Sequence, residues 1–415
     1  MRTIVFLLFS LFIIQLTAQE EHWGHIKQDV AFLAKDSLKG REMGSEGERI
    51  AAIYIAERMI SIGLEGYGSE KGKEGEEAFM QYFSVTPRAN PHASEPDEEA
   101  EPIHGMNVIG WKDNGGQSTI VIGAHFDHLG EGGEGSLYAG KEDMIHNGAD
   151  DNASGVALLL KLAETVVDNK QLNNNNYLFI AFSGEEKGLW GSNYFCKNPT
   201  IDLATVSYMI NFDMVGRLDT SRGLAINGVG TSPVWKESVK MANKNELKLI
   251  LGESGVGPSD HTSFYLQNLP VLHFFTGQHE DYHKPSDDAD KVNIEGIAQI
   301  HGLVQNLIAE LNASTKLTFT KTKEEESNTP RFTVTLGVMP DYLYQGEGMR
   351  FDGVTEGKPA DAAGFKKGDI VIQMGETKVD GMQSYMEALS KFKKGDKTQV
   401  KVKRGEEELT KEVTF

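Results

Sequence analysis

The sequence predicts an α/β protein: a mostly parallel sheet covered by helices on both faces, a three-layer α/β/α sandwich, followed by a small β-rich domain at the C-terminus. Three observations carry that expectation. From residue 106 onward, continuous apolar runs alternate with stretches of helical period, the pattern of strands covered by helices on both faces. A polar, densely charged stretch, 313–330, then interrupts the chain. After it the texture restarts as short strands with one helix at Ser384–Lys391. At 415 residues the chain is long enough for a large core and an appendage.

The elements follow in order. Arg2, the apolar run Ile4 to Leu16 and the small residues of Leu16-Thr17-Ala18 have the form of a secretory leader, so residues 1–18 are set apart from the fold. The run is short for a bilayer span, and no cysteine follows it to carry a lipid. Residues 22–63 read as helical, with Ile50, Ile53, Met59 and Ile60 near one period and Ser45 with Glu48 as a capping box. Residues 64–105 are rich in Gly, Glu, Pro and Ser. They hold a possible strand at Ala78–Val85 and an acidic loop from Glu95 to Glu101. Strands are expected at Met106–Trp111, Ser118–His125, Tyr177–Ser183, Ser207–Asp213, Gly223–Asn227 and Pro270–Phe275. Helices are expected at Ser154–Val167, Pro233–Asn245 and Ile294–Leu311. The domain limits that result are 19–312, a linker 313–330 and a C-terminal domain 331–415.

Composition narrows the function. Hydrophobic content of 39% and charged content of 25% are those of a globular protein. A net charge of −20 argues against nucleic-acid binding, which needs a basic surface to meet phosphates. The same acidic field attracts cationic groups such as free amino termini. Cys196 is the single cysteine, so the chain has no internal disulfide and the residue is read as passive.

Five short motifs carry the chemistry. They are His125-Phe-Asp127, Asp150-Asp151-Asn152, Glu185-Glu186, Asp213 in Asn-Phe-Asp-Met, and His283 in Asp-Tyr-His-Lys. Ligands in open α/β sheets bind beyond the carboxyl ends of the strands. His125, Asp213 and the glutamate pair all stand at or just past such ends. Two imidazoles and three carboxylates balance much of the charge of two divalent cations, and one carboxylate remains to act as a base. Asp127 lies two residues after His125, placed to hold the second ring nitrogen. Asp151 sits at a helix N-terminus, Asp213 in an apolar setting that demands a partner. Tyr282 is placed to donate to a developing oxyanion. Asp260, in Pro258-Ser-Asp-His-Thr-Ser-Phe, is expected to touch substrate. His104, His128, His146, His273 and His279 are read as structural or supporting.

The motifs Gly123-Ala-His-Phe-Asp-His, Gly148-Ala-Asp-Asp-Asn-Ala-Ser-Gly, Phe182-Ser-Gly-Glu-Glu-Lys-Gly-Leu-Trp-Gly-Ser, Asn211-Phe-Asp-Met-Val-Gly and Asp281-Tyr-His occur together and in order. In this the chain resembles the co-catalytic zinc aminopeptidases of the MH metallopeptidase clan, from about residue 25 to 312. The resemblance implies an eight-stranded mixed sheet and two zinc ions bridged by Asp151 and a water. It implies His125 and Asp213 on one zinc, Glu186 and His283 on the other, Glu185 as general base and Tyr282 as oxyanion donor. The clan also contains carboxypeptidases and a glutaminyl cyclase branch that uses one zinc.

The C-terminal segment resembles a PDZ domain through Thr335-Leu-Gly-Val, Val354-Thr-Glu-Gly-Lys-Pro-Ala-Asp-Ala-Ala-Gly-Phe and Lys367-Gly-Asp-Ile-Val-Ile-Gln-Met. That implies a peptide carboxylate at Leu336 and Gly337 and a peptide or protein ligand along a strand edge. The expected protein is a secreted or periplasmic zinc aminopeptidase acting on peptides, with no transmembrane segment. A carboxypeptidase or dipeptidase of the same clan, and a catalytically dead scaffold acting through its PDZ domain, are the alternatives.

Overall fold

Nine strands form the large sheet of the computed structural model, which describes residues 23–87, 100–322 and 334–415 apart from 71, 134, 141, 315, 342, 345 and 356. The leader read at 1–18, most of the Glu95–Glu101 run and residues 323–330 of the expected linker lie outside the described residues. The strands are β1 (Glu65–Gly66), β2 (Met80–Val85), β3 (Ile103–Lys112), β4 (Thr119–His125), β5 (Asn176–Phe182), β6 (Val206–Phe212), β7 (Leu224–Asn227), β8 (Leu249–Gly252) and β9 (Val271–Phe275). Their order is β1-β3-β5-β4-β6-β9-β7-β8, with β2 on the free side of β3. The centre is parallel: β4 pairs with β5 and β6, and β6 with β9. The pairs β3/β5 and β7/β9 are antiparallel, so the sheet is mixed as expected, with one strand more than the eight the resemblance implied.

Alternation within the central strands creates the three layers. Ile120 and Ile122 of β4 face one apolar cluster, which holds α1 (residues 23–33), α2 (Glu46–Ile62), α3 (Gly155–Asp168) and the helix Ile294–Leu311 against the sheet. Val121 faces the other, with Phe195 and Phe264 from the helices Trp190–Lys197 and His261–Tyr265. All seven residues of β4 and of β6 are buried, which is why both read as unbroken apolar runs. Cys196 is buried in the second cluster, where burial lifts its thiol to about 12, in keeping with a passive role.

The single helical region expected at 22–63 is broken. A helix over residues 23–33 ends, a tight 3₁₀ segment spans Asp36–Arg41, and α2 starts afresh at Glu46. Gly40 forces the break: its φ is +68°, and a β-carbon there would lie 2.4 Å from the carbonyl oxygen of Gly130. Ser45 caps α2 by accepting from the Glu48 amide at 3.1 Å. The Glu48 carboxylate accepts from the Gly44 amide at 2.6 Å, one residue before the partner a capping box would give it. The expected helix Pro233–Asn245 shortens to Trp235–Ala242, and β1 and β8 had no clear signal.

The C-terminal unit has its own apolar core around Leu336, Phe351, Val371 and Val400. Its strands are β10 (Val338–Pro340), β11 (Met349–Val354), β12 (Ile370–Met374), β13 (Thr377–Lys378), β14 (Lys397–Arg404) and β15 (Glu407–Thr414), all antiparallel, with β10 at an edge. Besides the helix Met382–Ser390, a four-residue helix at Pro359–Ala362, too short to show a period, packs here. Within the polar stretch 313–330, Leu317 is buried in the large core and Thr322 bonds to Tyr265, so this part lies against the first unit. Among the described residues no helix is long and apolar enough to cross a membrane.

Candidate metal centre

Four parallel strand ends and the turn before α3 deliver the acidic and imidazole groups to one place. His125 is the last residue of β4 and Asp213 the first after β6. Glu185 and Glu186 follow β5 across Ser183 and Gly184, which takes a left-handed φ of +69°. Asp151 lies in the irregular turn Ala149–Ser154. His283 comes from the loop after β9 and holds a φ of +53°, as does Met214 beside Asp213. Non-glycine residues in that region are costly and persist where surrounding structure fixes them.

Asp151 is the hinge of the cluster. His125 Nε2 lies 3.3 Å from Asp151 Oδ1 and 3.4 Å from Asp213 Oδ1. His283 Nε2 lies 3.2 Å from Asp151 Oδ2 and 3.3 Å from Glu186 Oε2. One oxygen of Asp151 therefore faces each histidine. Donor atoms of His125, Asp151 and Asp213 lie within 4.8 Å of one another, and so do those of His128, Asp151 and Glu186. This imidazole and carboxylate set fits divalent cations that accept nitrogen and oxygen. His128, read from sequence as supporting, has Nδ1 2.7 Å from Glu186 Oε1 and belongs to the cluster. Its position three residues after His125 carried no signal that separated it from its neighbours.

The two choices between adjacent acids have distinct surroundings. Asp150 Oδ1 accepts from the Gly216 amide at 2.5 Å, and its Oδ2 lies 3.1 Å from His279 Nε2. It faces the fold, whereas Asp151 faces the histidines. Glu186 turns one oxygen to His128 and one to His283. Glu185 joins no ion pair among the described residues and lines the cavity. Burial raises its carboxyl well above the usual range, and the nearby Asp213, Glu186 and Asp260 add to this against the pull of His125. Burial would also raise Glu186, but His283 and His128 hold it down at about 2. His125 and His283 are held well above the ordinary imidazole range: burial opposes this, and the facing carboxylates outweigh it.

Of the supporting residues, Arg41 and Asp287 were invisible in the sequence, whereas Asn152 belongs to the expected Asp150-Asp151-Asn152 motif. Arg41 is fully buried and donates to the carbonyls of Phe126 at 2.8 Å, Asn147 at 2.7 Å and Gly148 at 3.0 Å, and to that of Leu33. It thus ties the segments around His125 and Asp151. Burial lowers its guanidinium to about 10. Asp287 accepts from the amides of Asp150 at 2.9 Å and Asp151 at 3.1 Å. Asn152 donates to Phe212 O at 2.9 Å and accepts from the Met214 amide at 3.2 Å, joining the Asp151 turn to Asp213. Neither Arg41 nor Asp287 lies at a period or in a spacing that marks it.

The remaining expected residues divide. Asp127 accepts from the Glu185 amide at 3.1 Å, while its own carbonyl, at 3.3 Å, lies nearer His125 Nδ1 than its carboxylate at 3.7 Å. Tyr282 stacks on His283, with ring centroids 3.8 Å apart, and lines the cavity. Asp260, expected to touch substrate, is fully buried and is not among the residues that line the cavity; burial raises its carboxyl to about 7. The cavity, about 170 Å³, is lined also by Met214, Ala225, Asn227, Pro258 and Phe275. In the C-terminal unit, Gly337 has a φ of +72°, and its amide donates to Thr335 Oγ1 at 3.0 Å. Leu336 is buried, and its carbonyl accepts from Ala360.

Residues 107–308 match the model of peptidase family M28, and residues 331–415 match a PDZ domain. The chain is 29% identical to aminopeptidase YwaD of Bacillus subtilis over 70% of this chain and 64% of that protein. It spans about half the length of the first curated relatives it matches. A leucine aminopeptidase precursor from Bacteroides thetaiotaomicron superposes with a TM-score of 0.53 at 16% identity, covering 69% of this chain and 95% of that one. The glutaminyl cyclase of the same organism gives 0.53 at 17% identity over 69% and 96%. These two likenesses show the fold.

Proposed function

Since this chain joins a peptidase family M28 domain to a PDZ domain, we propose that it is a zinc-dependent aminopeptidase that removes N-terminal residues from peptides. The observation that carries this is Asp151, which turns one oxygen to His125 and the other to His283 while Glu185 stays outside every ion pair in the cluster. His125 and Asp213 would hold one ion, Glu186 and His283 the other, with His128 beside them and Asp151 common to both. Two zinc ions, when bound, supply an activated water and polarise the scissile carbonyl.

The chain's own residues do the rest. Glu185 accepts the proton of the attacking water and returns it to the leaving amine, a task suited to a buried carboxyl with a raised pKa. Tyr282 donates a hydrogen bond to the oxyanion. Asp127 fixes the Glu185 backbone through its amide. Met214, Ala225, Pro258 and Phe275 form the apolar wall against the first side chain of the peptide.

Cleavage at the carboxyl end would need a cation to receive the terminal carboxylate. Arg217, the one candidate near the motifs, is held by Asp281 at 3.0 Å and Asp287 at 3.2 Å, and no arginine or lysine lines the cavity among the described residues. This favours recognition of the amine. We further propose that residues 1–18 direct secretion to the periplasm or beyond, that 313–330 join domains 19–312 and 331–415, and that Leu336 and Gly337 receive a peptide carboxylate.

The deciding experiment measures the metal content of the purified protein. It then compares aminoacyl anilides, N-blocked anilides and a peptide with N-terminal glutamine, with and without chelator. Chelator-sensitive hydrolysis of free-amine substrates alone is expected. Hydrolysis of blocked substrates, or cyclisation of the glutaminyl peptide without hydrolysis, would overturn the reading.

A further inference from the structure

Arg222 stands in the turn before β7, on the large domain, and its guanidinium reaches across to the C-terminal unit. Nη2 lies 2.7 Å from Asp352 Oδ2 and 3.3 Å from Asp341 Oδ1. Both carboxylates are almost fully buried. Asp341 is also paired with Arg350 and Asp352 with Lys367, so neither exists only to hold Arg222. The third contact of Arg222 is the informative one: Nη1 donates to the carbonyl of Gln278 at 3.3 Å.

A second contact lands on the residue beside it. Leu343 is buried although it belongs to no apolar core of its own domain. A β-carbon at Gly277 would lie 2.7 Å from its Cδ1, so the leucine rests directly on the Gly277 backbone, whose φ is +97°. Gly277 and Gln278 open the loop that follows β9. Phe275 and Gln278 line the cavity, and the same loop goes on to Tyr282 and to His283 in its left-handed conformation. A residue held there needs rigid surroundings. The separate domain thus reaches this loop twice: directly, through the apolar contact of Leu343 on Gly277, and indirectly, through the ion pairs of Asp341 and Asp352 with the Arg222 that holds Gln278.

We propose that the PDZ domain braces the peptidase site through the loop after β9, and that Arg222 is a positioning residue which, gripped by Asp341 and Asp352, fixes the Gln278 carbonyl and with it the loop bearing Tyr282 and His283. The role of the loop in turnover rests on the aminopeptidase reading; the clamp itself does not. Arginine suits the task because its planar fork holds separate donors toward the two carboxylates and the carbonyl in fixed geometry, whereas a lysine offers a compact point charge.

The test uses the full chain. Arg222→Ala, Arg222→Lys and the double variant Asp341→Asn/Asp352→Asn are compared with Lys367→Ala, which removes a partner of Asp352 without touching the loop. Amide exchange by mass spectrometry is read over 276–283, and kcat and KM on an aminoacyl anilide are measured in parallel. The alanine and double-asparagine variants are expected to speed exchange in 276–283 more than elsewhere. They should lower kcat/KM on the order of tenfold, as small misplacements of reacting groups do. Arg222→Lys should fall between, and Lys367→Ala should match the parent. Parental exchange at 276–283 in Arg222→Ala would overturn the proposal, as would faster exchange spread evenly over the chain. If the parent hydrolyses nothing, the aminopeptidase reading fails, and the exchange measurement still decides the clamp.

Discussion

Glu185 and Glu186 are neighbours in sequence with opposite surroundings. Glu186 faces two histidines, whereas Glu185 faces the cavity and is pushed by burial toward its protonated form. A carboxylate that pairs with no histidine, faces the cavity and has a raised proton affinity suits the general-base role proposed for Glu185. Glu185→Gln is therefore expected to retain the parental zinc content while turnover falls by about 10²- to 10⁴-fold; near-parental turnover would remove the residue from that role. Asp151→Asn takes a charge from the one residue shared by both triads, so zinc content per chain should drop, and unchanged stoichiometry would count against sharing. The residue types and their strand-end positions were readable in the sequence. The choice within each pair was not, since Asp150 is turned away by Gly216 and His279, residues 66 and 129 positions along the chain. The place of His128 in the cluster was unreadable for the same reason. Burial and long-range contact decide which histidine meets the carboxylates and which aspartate is sealed beneath them.

Elements were most legible where burial was complete. The runs that became β4 and β6 leave no ambiguity of period, because both faces are covered. The edge strand β8 is half exposed and short, so its sequence carries little signal. The break between the helix over 23–33 and α2 was missed because it is set from outside: Gly40 packs on Gly130, and Arg41 reaches carbonyls up to 107 positions away. That arginine joins the first helix to the segments around His125 and Asp151 by four donated bonds. Lysine keeps the charge but loses the fork, stranding buried carbonyls. Arg41→Lys is expected to cost about 3 kcal/mol of stability, read from chemical denaturation, and to weaken zinc retention along with it. A variant as stable as the parent would show that the carbonyls find other donors.

At the scale of the whole molecule, the two-domain division was readable from the polar stretch between them, but the docking of one domain on the other was not. It depends on single residues, Arg222 and Leu343, that look ordinary in sequence. The chain also concentrates an unusual number of acids at one point. Asp127, Asp150, Asp151, Glu185, Glu186, Asp213, Asp260 and Asp287 converge there, faced by Arg41 and Arg217. In a metal-free molecule the protons on His125 and His283 supply much of the compensating charge, and both imidazoles are held well above their ordinary value of 6.5 despite burial. A group whose folded pKa is raised contributes stability that is fully present below its unfolded pKa and is lost as pH rises through the folded one. The metal-free protein should thus weaken steadily as pH climbs above about 6.5. Zinc binding runs the other way, because its ligands must be deprotonated, and saturation a thousandfold above Kd adds about 4 kcal/mol. The gap in Tm between zinc-loaded and chelated protein should accordingly widen from pH 6 to pH 8. Scanning calorimetry of both forms across that range measures it directly. A gap that narrows with pH would mean that these histidines do not carry the charge balance of the site.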